Sequence, residues 1–378
     1  MDVFDDLDRL ADELSREGSA RRPATGAALE HWLGVVVARN ASELLLVAGE
    51  PPVIRVAGQV VRVGDAPLDA TDVEDLVLPA LPPHAQRAYR DHGIADAAIK
   101  WPDLGRCRVN LHHERGRAAA VIRMLPTRVP TLASLDLPPG TEALSRVPRG
   151  LVIVGGATGS GKTTTVAALI DEINRRDAKH IVTIEDPIEY EHTNRQSIVQ
   201  QVEIGVDAPD FPTALRSALR QAPDVIVIGE MRDPETMRIA LSAGETGHLV
   251  FSTLHTTDVP STLARITDSF PVERQPTIRQ EVAAALTAVY VQTLLPRPSG
   301  GRIPAAELLM VSYGARQHIR SNALQHLHQE ITITRRHGSF SLEECLARLV
   351  KSGLVHRTDA ARRANHPDDF EHALQTLA

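Results

Sequence analysis

After residue 150 the chain alternates between two textures. Short runs that are predominantly apolar, with no charged position, at 151–154, 181–184, 225–228 and 249–253, are separated by stretches with apolar residues at helical spacing, 162–175, 213–221 and 234–243. A strand without a polar face has to be buried on both sides. The alternation therefore predicts a parallel sheet covered by helices on each face, an α/β domain over 149–378. From about residue 259 to the end the pattern reads as mainly helical. Residues 26–125 mix helix and strand signals, with strand-like runs at 43–47, 53–63, 106–111 and 118–124, and predict a small α+β domain. The five prolines within residues 126–148 read as a linker between the two. Residues 1–25 place Phe4, Leu7, Leu10, Ala11 and Leu14 at helical spacing among charges. They predict a short amphipathic helical extension, packed on its own domain or docking on a partner.

Composition narrows the class. With 378 residues, 43% hydrophobic and 24% charged, the chain can bury substantial cores, and at 3% aromatic those cores must be largely aliphatic. The net charge of −7 provides no bulk attraction to a polyanion, so no nucleic-acid partner is expected. Only Cys107 and Cys345 occur, which excludes a four-cysteine zinc site and argues against a disulfide framework; no zinc is expected. The acidic start lacks the regions of a signal peptide, and no apolar run is long enough to span a bilayer, so a cytoplasmic location is the default.

One segment carries its own chemistry. Gly156-Ala157-Thr158-Gly159-Ser160-Gly161-Lys162-Thr163, followed by Thr164, fits GxxxxGK[ST] between an apolar strand and a helix with Val166, Leu169, Ile170 and Ile173 on one face. Glycines at these positions let backbone N–H groups turn inward around phosphates, and the helix N-terminus adds partial positive charge. Lys162 is placed to reach the β- and γ-phosphates of ATP and the Thr163 hydroxyl to hold Mg²⁺.

Hydrolysis also needs carboxylates, which in a parallel sheet belong at the C-terminal ends of strands. The run 225–228 ends in Gly229-Glu230, making Glu230 a candidate for holding Mg²⁺ through water, whereas Asp224 lies at the other end of that strand and reads as structural. A second run ends in Glu185-Asp186-Pro187-Ile188-Glu189, where Pro187 stops the strand and gathers three carboxylates; one of them is the candidate general base. His248 and His255 flank the next apolar run, with His255 at its C-terminal end, positioned to sense a γ-phosphate.

Together these segments resemble the ATPase superfamily that drives type II secretion and type IV pili. GATGSGKTTT is similar to its Walker A, TIEDPIEY to its Asp box, DVIVIGEMRD to its Walker B and AGETGHLVFSTLHTT to its His box. Within the superfamily the chain most resembles the pilus retraction (PilT-type) ATPases. It lacks the zinc module of the extension and secretion members, residues 41–52 are similar to the opening of the retraction type, and GARQHIRS at 314–321 is similar to a C-terminal AIRNLIRE signature. It departs from the pattern at Leu45, where a histidine is frequent, and at Ala222, where an aspartate is usual.

The resemblance implies a PAS-like N-terminal domain followed by a RecA-like ATPase domain with C-terminal helices. It makes Glu189 the catalytic glutamate, Glu230 the Walker B glutamate, and His248 and His255 the His-box pair. It also implies that N-terminal-domain arginines, Arg106, Arg115 and Arg123, reach the nucleotide, with Arg108 or Arg117 as alternatives. Finally it implies a homohexamer that works against an inner-membrane pilus platform protein, peripherally associated with the membrane, to retract type IV pili in twitching motility. A pilus-assembly or type II secretion motor, a RecA-like nucleic-acid translocase and a regulatory nucleotide-binding module are the alternatives.

Overall fold

The computed structural model describes residues 25–56 and 58–376; the helix expected over residues 1–25 falls outside this range. The chain divides into two compact units between Thr127 and Arg128.

The first unit contains α1 (Thr25–Ala38), β1 (Glu43–Val47), β2 (Val53–Val56), β3 (Gln59–Arg62), α2 (Ala70–Val77), α3 (Pro83–His92), β4 (Ile94–Trp101), β5 (Gly105–Glu114) and β6 (Arg117–Met124). Its strands form one antiparallel sheet in the order β3-β2-β1-β6-β5-β4. The strand expected over 53–63 is a hairpin, because Gly58 at φ 84 supplies a left-handed turn between β2 and β3. Alternate residues of the sheet, among them Leu44, Leu46, Val109, Leu111 and Ile122, bury one face against Leu29, Leu33 and Val36 of α1 and Val73 and Val77 of α2. The opposite face mixes charged residues with apolar ones such as Leu45, Val47 and Val121. A cross-strand row there runs Arg108, Arg123, Glu43, Arg55, and Glu43 accepts from Arg55 Nε at 2.7 Å and Arg123 Nη2 at 2.6 Å.

The second unit contains β7 (Gly150–Gly155), α4 (Lys162–Arg176), β8 (His180–Glu185), β9 (Ile198–Glu203), α5 (Phe211–Ala218), β10 (Val225–Ile228), α6 (Pro234–Glu245), β11 (Leu249–Leu254), α7 (Val259–Asp268) and α8 (Gln275–Ala285). These are followed by β12 (Leu286–Pro296), β13 (Arg302–Met310), α9 (Tyr313–Arg320), α10 (Leu327–Ile333), α11 (Leu342–Lys351), α12 (Arg357–Ala361) and α13 (Pro367–Thr376). The sheet order is β13-β12-β7-β11-β10-β8-β9, parallel except for the β12–β13 hairpin. Burial on both faces follows the expected pattern. Leu151 and Ile153 of β7 pack with α6, α7 and α8, whereas Val152 and Val154 pack against Val166, Leu169, Ile170 and Ile173 of α4.

Two expectations are refined. Most of the described region after residue 259 is helical, but β12 and β13 interrupt it and extend the central sheet by two strands. Residues such as Ala305, Ala306, Leu308 and Leu309 favour helix in isolation, but pairing along the whole of β12 and burial at 0–1% exposure override that preference. The proline-rich stretch 126–148 is also not a free linker from residue 128 onward. Leu144 is fully buried beside Val152 and Leu169, and Arg176 Nη2 donates to the Ser145 carbonyl at 2.6 Å, so the segment is fastened to the second unit.

Candidate active site

The four motifs meet because β7, β11, β10 and β8 are adjacent and parallel, so the segments that leave their C-terminal ends share one edge of the sheet. The phosphate loop leaves β7 and enters α4. Gly156 adopts φ 147, and a Cβ there would lie 2.4 Å from Ser160 Oγ and 2.5 Å from the Gln292 carbonyl, so only glycine fits. Gly161, at φ 88, is the N-cap of α4 and provides no side-chain cap, leaving the first-turn N–H groups of Lys162, Thr163 and Thr164 directed at the loop's mouth. Lys162, 7% exposed, donates through Nζ to the carbonyls of Gly156 (2.8 Å) and Ala157 (3.0 Å). Its burial pulls its pKa down, and the negative charges of Glu230 and Glu189 act in the opposite direction.

His255 joins this loop to the neighbouring strand. Its Nδ1 lies 3.3 Å from Thr158 Oγ1 and 3.5 Å from Lys162 Nζ, and its Nε2 lies 3.4 Å from Glu230 Oε1. The ammonium can only donate and the carboxylate only accept. A neutral His255 therefore fits with Nδ1 as acceptor and the proton on Nε2, facing Glu230. Glu230 Oε2 accepts from Arg232 Nε at 2.8 Å. The sequence reading assigned no role to Arg232, although it lies only two residues beyond Glu230.

Glu185 and Glu189 have separated environments. Glu185 accepts from Thr183 Oγ1 (2.6 Å) and Gln201 Nε2 (3.1 Å), and burial pushes its pKa up. Glu189 is half-buried, and its charge acts on Lys162. Its turn is held by Gln201, which donates to the Tyr190 carbonyl and accepts from His192 N, and by the Tyr190 hydroxyl, 3.0 Å from Thr164 Oγ1 on α4. Asp224 accepts from His180 N at 2.9 Å at the opposite end of the sheet, consistent with a structural role.

Among the expected site residues of the second unit, His248 stands apart from this cluster. His248 precedes β11 at its N-terminal end, with Nδ1 against the Ala243 carbonyl (3.2 Å) and Thr246 Oγ1 (3.4 Å). The length of β11 places it roughly 20 Å from His255. Arg106, Arg115 and Arg123 lie in the first unit, on β5, in the β5–β6 turn and on β6 respectively. Arg115 pairs with Glu114 at 3.0 Å and Arg123 with Glu43. The helix at 314–321 is fastened through Arg316 Nη1, which donates to the carbonyls of Ala283 and Ala284 at the end of α8.

One residue of the site escaped sequence reading altogether. Gln292 of β12 is 3% exposed; its Nε2 donates to the Ser160 carbonyl at 2.6 Å and its Oε1 accepts from Thr165 Oγ1 at 2.8 Å. It braces the loop from below. A glutamine inside the apolar run 282–295 was its only sequence signal.

The cradle fits a triphosphate, with inward N–H groups, a lysine at the mouth, and the buried Ser160 hydroxyl, which has no hydrogen-bond partner within the protein. Thr163 and Glu230 supply the oxygen donors that suit Mg²⁺. Among the described residues, no helix is long and apolar enough to cross a membrane.

Known proteins agree with this architecture. The family described as type II/IV secretion system protein matches residues 115–369. The chain is 40% identical over 332 residues to the type IV pilus retractation ATPase PilT of Pseudomonas aeruginosa, covering 88% of this chain and 96% of that one. It is 39% identical to a twitching motility protein of Neisseria gonorrhoeae, covering 84% and 86% of the two chains. A crystal structure of the pilus retraction motor PilT with bound ADP superposes with a TM-score of 0.83 at 38% identity, over 91% of this chain and 98% of that one. With a family match over most of its length and these strands converging on one phosphate loop, the chain belongs to the type II/IV secretion system protein family.

Proposed function

We propose that this protein is a motor ATPase of the pilus-retraction type, hydrolysing Mg-ATP as a homohexamer. The observation that carries the reading is the convergence of Lys162, His255, Glu230 and Glu189 at one sheet edge, in a chain similar to PilT along nearly all of both sequences. The loop N–H groups and Lys162 bind the β- and γ-phosphates of ATP. Bound Mg²⁺, held by the Thr163 hydroxyl and by Glu230 through water, would neutralise charge on those phosphates. Glu189 orients the attacking water and takes up its proton. Glu185 is less suited to that task, because its Oε1 already accepts from both Thr183 and Gln201 and burial pushes its pKa up. His255, in contact with both Thr158 and Glu230, couples the occupancy of the loop to the Walker B strand. Arg106, Arg115 and Arg123 complete a nucleotide site from the N-terminal domain, where the guanidinium fork suits phosphate oxygens. The partner is a pilus platform protein at the inner face of the cell membrane, and force is applied there.

The test is phosphate release by wild type and Glu189→Gln, with native mass measured in parallel. A sixfold assembly with turnover that falls by about two orders of magnitude or more in the variant supports the reading. Turnover that survives moves the base to Glu185 or Glu230. A monomer without turnover overturns the motor reading.

A further inference from the structure

We propose that the C-terminal helical part carries a divalent transition-metal site, of the Zn²⁺ class, built from His328, His366 and Asp369. Among the described residues this is the one group of three potential metal-binding side chains whose ligand atoms converge, all within 4.8 Å of one another. His328 Nε2 lies 2.9 Å from Asp369 Oδ2, and the rings of His328 and His366 face each other with centroids 4.0 Å apart at 36°. A hydrogen-bonded histidine–aspartate pair requires only one imidazole. The second ring beside it has a clear use if both lone pairs point at a shared cation. Two protonated imidazoles at this spacing would repel, whereas two neutral ones bridged by a metal would not.

The donors stand on supported backbone. His328 is on α10, whose Leu327 and Ile331 are buried at 0–1% exposure. His366 and Asp369 are spaced i, i+3 at the start of α13, which Phe370 and Ala373 anchor in the core. Buried Glu343 of α11, 1% exposed, accepts from the backbone N–H groups of both Asn365 and His366 at 3.0 Å, fixing the segment that presents His366. Such outer support is what a precise ligand set requires. Small rotamer shifts of exposed side chains are enough to bring three donors to about 2.0–2.2 Å from one cation.

Two imidazoles and one carboxylate favour Zn²⁺, Co²⁺ or Ni²⁺ over Mg²⁺ or Ca²⁺, which take oxygen-rich sites. The His328 and Asp369 side chains are 25% and 57% exposed, so a fourth position is open to water. The scarcity of cysteine excludes a tetracysteine site but does not bear on these donors. The metal would clip α13 to α10, bridging the end of the chain to the body of the ATPase unit. The site shares no residue with the phosphate loop and does not depend on the motor reading.

The experiment is a Co²⁺ titration of tag-free full-length protein, followed by visible absorption and repeated with His366→Ala and Asp369→Asn. A third variant, His318→Ala, controls for the neighbouring pair His318 and His326, whose rings are 5.2 Å apart. Expected is one equivalent with the strong visible bands of low-coordinate Co²⁺. His366→Ala and Asp369→Asn should weaken it about tenfold or more, and His318→Ala should leave it intact. Zn²⁺ should raise the unfolding temperature of wild type and of His318→Ala but not of His366→Ala, and His366→Ala should keep its basal phosphate release. Equal binding by wild type, His366→Ala and Asp369→Asn, or no binding by wild type up to about 1 mM Co²⁺, overturns the proposal.

Discussion

Gln292→Leu tests whether the phosphate loop depends on its brace. The substitution keeps a side chain of similar size on β12 but removes the donor to the Ser160 carbonyl, 2.6 Å away, and the acceptor for Thr165 Oγ1, 2.8 Å away. Gln292 is 3% and Thr165 1% exposed, so water cannot readily replace either bond. An unsatisfied buried polar group costs about 1–3 kcal/mol, and two of them give about 2–6 kcal/mol. If the lower value falls wholly on loop geometry, nucleotide affinity drops roughly 30-fold. If it falls wholly on global stability, about 2 kcal/mol lowers the unfolding temperature of a unit of this size by about 4–8 °C. The two readouts divide a common total, so both are needed: equilibrium binding of a fluorescent ADP analogue, and thermal unfolding without nucleotide. Affinity within twofold of wild type together with an unchanged unfolding temperature would refute the brace, and the loop would then be rigid by its own backbone.

Two further predictions concern stability. Glu307 of β13 is 4% exposed and accepts from Val259 N at 2.6 Å; burial, reinforced by Glu343 and Asp258, raises its pKa to about 8. The folded state holds that proton more tightly than the unfolded chain, so the contribution is favourable at low pH and is lost as pH rises towards and through about 8. Glu307→Gln keeps an oxygen for Val259 N and should flatten the decline in unfolding temperature between pH 6 and 9; parallel slopes would refute this assignment. Ala222 is exposed at φ 51, a left-handed conformation that costs an alanine about 1–2 kcal/mol. Ala222→Asn should recover about 0.5–1 kcal/mol and raise the unfolding temperature by about 1–4 °C, and a decrease would contradict the strain.

The site's chemistry was legible in the sequence because its parts are local. A phosphate loop needs glycines at fixed offsets and a lysine one helical step later, and acids at the ends of apolar strands lie within a few residues of those strands. Runs without a polar face likewise required a sheet buried on both sides. Pairing decided the rest. The strand identity of residues 302–310 is set by nine cross-strand partners on β12, contacts that local propensity does not encode. Gln292 becomes the loop's brace only because β12 runs parallel to β7 with Val291 opposite Gly155. His248 and His255 are similar in sequence context, yet the direction of β11 places one beside Lys162 and the other at the far edge of the sheet. His328 meets His366 and Asp369 through the packing of α10, α11 and α13, across about 40 residues of chain. Sequence by itself determined which groups could act, since residue type and short spacing carry that information. Tertiary structure alone decided which of them meet, because strand order, direction and helix packing are properties of the whole core.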